Sequence, residues 1–271
     1  MNDPDRAILS KVPAVTLGFW VIKILATTLG ETGGDAVTMT WLGETTPQAG
    51  ASGVSGYLIG TVIFLLPLIL LVIAQISAKR FHPFLYWATI IASTMAGTTM
   101  ADFADRSLGI GYLGGTLLLL ALVIGSLLTW NATIGSVSSD DIHSPGAGAF
   151  YWLTITFSQT LGTALGDWAA DDGGLGYLGG AAVFGTALAI VALLYFRTRI
   201  SRVVLFWAAF ILTRPLGATV GDFLDKPLAK GGLDLSRPIA SLALAAAILL
   251  LILLLPQRAG GHPRARPDPA A

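Results

Sequence analysis

The stretch FWVIKILATTLGETGGD, residues 19–35, contains a short pattern that organises the whole chain. A tryptophan preceded by another aromatic residue opens the pattern, a glycine follows it by ten residues, and an aspartate follows the glycine by five. The spacing occurs four times, at Trp20/Gly30/Asp35, Trp87/Gly97/Asp102, Trp152/Gly162/Asp167 and Trp207/Gly217/Asp222. Two spacings that recur four times in otherwise divergent sequence indicate four tandem repeats of one structural unit.

The composition of the 271 residues predicts that these repeats lie in a membrane. Hydrophobic residues make up 54% of the chain and charged residues 12%, and the mean hydropathy is +0.73. A soluble domain carries about 25% charged residues. The absence of cysteine excludes disulfides and thiolate metal sites. The charged residues Asp3, Asp5 and Arg6 do not resemble a cleavable signal peptide, so the first apolar segment is expected to remain as a spanning helix.

Eight apolar segments approach the roughly 20 residues that cross a hydrocarbon core. They cover about residues 14–35, 54–77, 84–103, 111–130, 147–168, 176–196, 203–223 and 237–255. We therefore predict an all-α polytopic membrane protein of eight transmembrane helices. The helices form four helix hairpins, the repeats at about residues 12–80, 81–135, 145–200 and 201–255. Residues 1–255 form a single transmembrane domain, and residues 256–271 form a disordered basic cytoplasmic tail.

Two spans per repeat imply that all repeats enter the membrane in the same direction, around an axis normal to the membrane. The loops on one side hold ten Lys and Arg residues and those on the other hold four, which places both termini in the cytoplasm. The larger set is Arg6, Lys11, Lys79, Arg80, Arg197, Arg199, Arg202, Arg258, Arg264 and Arg266. The smaller set is Arg106, Lys226, Lys230 and Arg237.

The odd-numbered spans carry a polar stripe that predicts the bundle interior. Positions 3, 7, 11 and 15 after each tryptophan share one helical face. The four sets are Lys23/Thr27/Glu31/Asp35, Ile90/Thr94/Thr98/Asp102, Ile155/Gln159/Thr163/Asp167 and Phe210/Arg214/Ala218/Asp222. Lipid cannot satisfy such groups, so they should line the centre. The predicted pathway-lining residues are Thr27, Thr94, Thr98, Gln159 and Thr163.

Five acids and two bases on this stripe form the candidate ion and proton site. The acids, which are also the candidate metal ligands, are Glu31, Asp35, Asp102, Asp167 and Asp222; Lys23 and Arg214 are the candidate internal counter-ions. Buried carboxylates need compensation from these bases, from a bound cation or from protons. An alternative is that the four aspartates only mark helix ends at the outer interface. The glycines beside the stripe either pack helices closely or let them unwind near the aspartates.

The donors available on the stripe favour a hard cation. Carboxylates, threonine hydroxyls and the Gln159 amide offer oxygen, whereas His82, His143 and His262 fall outside the spans. Oxygen sites suit Mg²⁺, Ca²⁺ or Mn²⁺. We expect no cofactor beyond a transported divalent cation. The expected partners are the lipid bilayer, a small inorganic cation and protons; an oligomer is compatible with the sequence, and a nucleic acid is not expected.

The four tandem two-span units, each with its Trp/Gly/Asp register, resemble a bacterial membrane-protein family defined by a repeat of unknown function, number 347. The resemblance covers roughly residues 12–255 and implies a multi-pass protein of the bacterial inner membrane. The segment Glu31-Thr32-Gly33-Gly34-Asp35 is also similar to acidic-glycine motifs of cation/proton exchangers that export Mn²⁺ or Ca²⁺. That second likeness is local, because those exchangers carry two such motifs in inverted repeats.

These observations favour a transporter or exporter of a small hard cation, such as Mn²⁺, coupled to protons. The alternatives are an intramembrane aspartyl enzyme and a channel or transporter for another substrate. An intramembrane aspartyl protease needs an aspartate in a Gly-x-Gly-Asp context, which Thr32-Gly33-Gly34-Asp35 only approaches.

Overall fold

The computed structural model describes residues 10–44 and 55–260, and these residues fold into eight long α-helices. The helices are α1 (Leu17–Asp35), α2 (Gly56–Ser77), α3 (Pro83–Asp102), α4 (Gly111–Ile134), α5 (Pro145–Asp167), α6 (Gly176–Arg197), α7 (Arg202–Asp225) and α8 (Arg237–Leu254). Their starts follow ordinary helix signals: Thr16 and Ser144 cap α1 and α5 with their hydroxyls, and prolines occupy the first turn of α3, α5 and α8. Each predicted span overlaps one helix, so the all-helical prediction is confirmed.

The four odd-numbered helices form an inner ring. Helix α1 packs against α3, α3 against α5, α5 against α7, and α7 against α1, which closes the ring. Every residue of α1 from 26 to 35 is buried. The tryptophan helices are therefore the inner helices, as the polar stripe predicts.

The even-numbered helices lie outside the ring, but they do not pack as simple hairpins. Helix α2 packs mainly on α3, α4 on α5, α6 on α7, and α8 on α1. Each outer helix thus covers the inner helix of the next repeat rather than that of its own. After the first three inner helices, the π-helical segments Ala36–Trp41, Phe103–Ser107 and Trp168–Asp172 connect to the displaced outer helix and contact it.

Contacts around the ring join like ends of the inner helices. Near their N-termini, Phe19, Trp87, Trp152 and Trp207 share one hydrophobic cluster, in which the Tyr86 and Tyr151 hydroxyls are 2.8 Å apart. At their C-termini, the four aspartates of the repeats share ion pairs with common cations. One end of the ring is therefore aromatic and closed, and the other end is charged.

The two ends of the described chain meet at the aromatic end. Pro13 and Ala259 form an antiparallel bridge, supported by hydrogen bonds of 2.8 Å from Ala14 N to Arg258 O and from Gly260 N to Val12 O. Gln257 accepts a hydrogen bond of 3.1 Å from the Trp87 indole. Residues 257–260 thus belong to the folded part, unlike in the tail prediction, and residues 261–271 of the predicted tail lie outside the described residues.

Five helices of the described chain, α2, α4, α6, α7 and α8, are long and apolar enough to cross a membrane. The outer helices present large apolar side chains to their surroundings, with Leu70, Leu117 and Leu242 exposed by 68%, 59% and 71%. Helices α1, α3 and α5 are less apolar because their polar residues face the ring, where they are buried. An apolar exterior around a polar interior is the reverse of a soluble domain.

Candidate functional site

Glycines set the spacing of the ring at the level of the site. A Cβ added to any of the four repeat glycines would lie under 3.0 Å from the residue seven positions after the tryptophan of the next helix. The four contacts are Gly30 to Thr94, Gly97 to Gln159, Gly162 to Arg214 and Gly217 to Thr27. The inner helices remain α-helical through these glycines. The glycines therefore serve close packing. The change of helical geometry near the aspartates begins only after Asp35, Asp102 and Asp167, where π-helical segments follow.

The four repeat aspartates lie together at the charged end of the ring. Asp35, Asp102, Asp167 and Asp222 are exposed by 4% or less. The first three are the last α-helical residues of α1, α3 and α5, as the helix-end alternative expects. None of these three caps the π-helical segment that follows with its side chain, so capping does not explain why a carboxylate is buried there.

Two cations from the segments after α3 and α7 bridge the aspartates in pairs. Arg106 lies 2.9 Å from Asp102 and 3.2 Å from Asp167. Lys226 lies 3.0 Å from Asp222 and also contacts Asp35. Each cation joins the aspartate four residues before it to the aspartate of the next repeat. The ion pairs therefore follow a twofold pattern, repeats two to three and four to one, within the fourfold ring.

A third cation, Arg237 at the start of α8, joins this charged end. Its Nε lies 3.6 Å from Asp225 and 4.0 Å from Asp35. Sequence reasoning assigned Arg106, Lys226 and Arg237 to the outer loops and did not include Asp225 in the site. The available signal was spacing: Arg106 and Lys226 each follow a repeat aspartate by four residues, which is one helical turn.

Glu31 and Arg214 form a buried ion pair one turn deeper. The Arg214 guanidinium donates hydrogen bonds of 3.0 and 3.1 Å to Glu31 Oε2 and one of 2.6 Å to Thr98 Oγ1. It also donates to the hydroxyl of Thr163. The Arg214 side chain is fully buried and that of Glu31 is exposed by 3%. Arg214 therefore holds residues of α1, α3 and α5 together from α7.

The remaining predicted stripe residues have different surroundings. Thr27 donates to the carbonyl of Thr213 at 3.0 Å, and Thr94 donates to the carbonyl of Ala26 at 3.2 Å, so both hydroxyls serve the contacts between inner helices. Gln159 is fully buried, and both its amide atoms lack a hydrogen-bond partner within residues 10–44 and 55–260.

Lys23 lies deeper than the ion pairs, toward the aromatic end. Its side chain is fully buried, and its Nζ has no hydrogen-bond partner in the part of the chain that the structure describes. The Phe210 ring centre lies 4.2 Å from Nζ. The structure thus brings Arg214, but not Lys23, to a carboxylate.

Two groups of three buried carboxylates have the spacing of a metal site. Oxygen atoms of Glu31, Asp167 and Asp222 lie within 4.8 Å of one another, and the same holds for Asp35, Asp222 and Asp225. Asp222 belongs to both groups. Three carboxylate oxygens at such distances can contact one divalent ion after small side-chain movements, since Mg²⁺, Mn²⁺ and Ca²⁺ bind oxygen at about 2.0–2.6 Å.

A cavity of about 530 Å³ opens at the charged end of the ring. Its lining includes Asp222, Asp225 and Lys226 of the ion-pair network, together with Arg106 and Arg237. Tyr112 and Tyr177, from the starts of α4 and α6, also line it. Asp222, which belongs to both carboxylate groups, is therefore reached from this end, whereas the aromatic cluster lies at the other end.

Comparison with known proteins supports the repeat architecture directly. Neither the curated proteins nor the solved structures include a significant match to this chain. One family model matches four times in tandem, at residues 18–81, 85–135, 150–201 and 205–258. Each match contains one Trp/Gly/Asp register and covers most or all of one inner and one outer helix. The chain belongs to the family of the Repeat of Unknown Function (DUF347).

Proposed function

We propose that this chain is a multi-pass protein of the bacterial inner membrane that transports a small hard cation, a divalent metal ion such as Mn²⁺. The observation that carries the proposal is the group of Glu31, Asp167 and Asp222, three buried carboxylates from three repeats whose oxygens lie within 4.8 Å of one another. Buried acids inside a membrane are costly and mark ion pathways when they face a bundle interior.

Insertion of all eight helices is supported by the distribution of polarity. The outer helices expose leucines, while the charges of the inner helices are buried against one another. The meeting of like ends of the inner helices supports a shared direction for the four repeats, with the ring axis along the membrane normal. The excess of Lys and Arg near the aromatic end supports a cytoplasmic location for that end and for both termini.

The charge balance of the ion-pair network favours a divalent substrate. The network contains six acids and four bases. The acids are Glu31, Asp35, Asp102, Asp167, Asp222 and Asp225, and the bases are Arg106, Arg214, Lys226 and Arg237. With all ten groups ionised, the network has an excess of two negative charges, which one divalent cation offsets.

Arg214 has a defined part in this proposal. Its guanidinium occupies one oxygen of Glu31 and the hydroxyls of Thr98 and Thr163. A cation that binds Glu31 competes with Arg214, and the two threonines are then free to offer oxygen to the ion. The base that stabilises the empty site is thus the group that the substrate displaces, so the carboxylates do not remain unpaired at either stage.

The aspartyl-enzyme alternative has less support. An aspartyl dyad needs two carboxylates that share a proton and face a substrate. Here Asp102 and Asp167 share Arg106, and Asp35 and Asp222 share Lys226, so each repeat aspartate faces a cation instead.

Flux measurements in proteoliposomes test the proposal. The purified chain is expected to move Mn²⁺ down an imposed gradient, with Mg²⁺, Ca²⁺ and Co²⁺ as comparison ions. Asp35→Asn and Asp167→Asn are each expected to abolish this flux while the protein stays folded, and Asp172→Asn, at an exposed position beyond the network, is expected to retain it. Full flux in both the Asp35 and Asp167 variants would exclude the site, and an inactive wild-type chain with every cation would exclude the function.

A further inference from the structure

Just below the ion pairs, the position three residues after each repeat tryptophan is apolar in three inner helices and charged in the fourth. Three of these helices contribute Ile90, Ile155 and Phe210, and α1 contributes Lys23; all four residues are fully buried. Burying an ammonium without a hydrogen-bond acceptor costs free energy. An ionisable side chain at such a position inside a membrane is therefore a candidate functional residue.

Within residues 10–44 and 55–260, no acid pairs with Lys23. Glu31 lies eight residues further along α1, which corresponds to about 12 Å of helix rise. Three other helices pack on α1. The charged residues of α7 are Arg214, which lies one turn closer to the carboxylates than Lys23 does, and three residues near the helix ends, Arg202, Asp222 and Asp225. The titratable residues of α3 are Tyr86 and Asp102, which lie near its ends, and that of α8 is Arg237 at its start. The contact that Lys23 does make is with the Phe210 ring, whose centre is 4.2 Å from Nζ.

The position of Lys23 matters because of what lies on either side of it. The carboxylates and the open cavity are on one side, and the aromatic cluster with the Tyr86–Tyr151 hydrogen bond is on the other. A cation that leaves the carboxylates for the aromatic end must cross the level of Lys23. We propose that protonated Lys23 is the barrier that keeps cations from crossing the ring, so that passage requires its amine to release a proton.

This inference rests on the proposed cation transport and adds the residue that couples it to protons. The amine takes up a proton from water on the side to which the cation leaves, and it releases that proton to water on the side from which the next cation arrives. One proton thus moves against each cation. With an effective dielectric constant of about 20 and a closest approach of about 6 Å, an ammonium slows a divalent ion roughly 10⁴-fold and a monovalent ion roughly 10²-fold.

The natural chain contains no cysteine, which allows a direct test. Wild type, Lys23→Met and Lys23→Cys are reconstituted in proteoliposomes with a Mn²⁺ gradient and an internal pH dye. Lys79→Met, the same substitution at an exposed loop residue, is the control and is expected to behave as wild type. Wild type should move protons against Mn²⁺, while both Lys23 variants should pass Mn²⁺ at least about tenfold faster and without proton movement.

Chemical modification separates the charge of Lys23 from its role in packing. Treatment of Lys23→Cys with a methanethiosulfonate that adds an ethylammonium group should restore the slow, proton-coupled flux. A reagent that adds a neutral methyl group should not restore it. Proton-coupled flux in Lys23→Met equal to wild type, or equal effects of the two reagents, would overturn the assignment of Lys23 while leaving the proposed transport intact. A wild-type chain that moves no Mn²⁺ would overturn both.

Discussion

The buried pair of Glu31 and Arg214 should be strongly coupled in stability. Glu31→Gln keeps the shape of the side chain and one oxygen acceptor, but it leaves the fully buried Arg214 guanidinium without its counter-charge. Removing one partner of a buried ion pair costs about 3–5 kcal/mol, and replacing both with groups of similar volume is often near neutral. We therefore expect Glu31→Gln and Arg214→Met each to lose about 3–5 kcal/mol, and the double variant to lose much less than either.

Equilibrium unfolding in detergent, followed by helical circular dichroism, measures the cycle. The more exposed Arg106–Asp167 pair is the comparison, because the Arg106 side chain is 31% accessible and water can replace its lost partner. Its coupling energy should be about 1 kcal/mol or less. Single-variant losses at Glu31 and Arg214 that add within about 0.5 kcal/mol in the double variant would refute the buried-pair reasoning.

Two further predictions concern packing and pH. Gly217→Ala should lower the free energy of unfolding by about 1–3 kcal/mol in the same assay, because the added methyl would meet the Thr27 side chain and backbone. The control Gly125→Ala, on the open face of α4, should be neutral or slightly stabilising. Equal effects at the two positions would contradict the close packing of the ring. Burial raises the pKa of Asp105, in the segment between α3 and α4, to about 6, with the neighbouring Arg106 acting in the opposite direction. The ionised carboxylate therefore costs stability; the cost is complete above about pH 6 and is lost progressively as the pH falls from about 6 toward the ordinary value of 3.8. Asp105→Asn should consequently raise the melting temperature more at pH 8 than at pH 5, and an equal shift at both values would contradict the assignment.

The inner ring could be predicted from the sequence because its signals are periodic. Each of the four inner helices carries one column of polar residues at i, i+4 spacing on an otherwise apolar surface. Lipid cannot satisfy such a column, so it must face the other inner helices. The predicted acids do meet there, and Arg214 of α7 pairs with Glu31 of the neighbouring α1. The small residues beside the stripe likewise predicted close approach of the helices, and the Arg214 side chain packs directly against Gly162.

The partners of the outer helices could not be predicted in the same way. Helix α2 is apolar on nearly every face, so its sequence does not distinguish the inner helix of its own repeat from that of the next. The bridging cations were missed for a different reason. Counting loop Lys and Arg residues groups Arg106 and Lys226 at the same end as the repeat aspartates but treats them as solvated. Their long side chains instead return one turn to the aspartates that precede them.

The partner of Lys23 could not be predicted by counting the charges on the stripe. Two bases and five acids on one stripe suggested that both bases pair, but Lys23 and Glu31 are two turns apart on one helix and Arg214 already occupies the acid. A side chain's height along its helix decides its partner as much as the face it lies on.

Equilibrium binding of Mn²⁺ to the purified chain tests the central claim most directly. Free Mn²⁺, counted by its electron paramagnetic resonance signal, should fall by one ion per chain in wild type and in Asp172→Asn. Glu31→Gln and Asp167→Asn, which each remove one carboxylate charge from the group of three, should each weaken that binding at least about tenfold while circular dichroism remains that of the folded protein. Saturable binding that survives both substitutions unchanged, or no binding by the folded wild-type chain, would contradict the account.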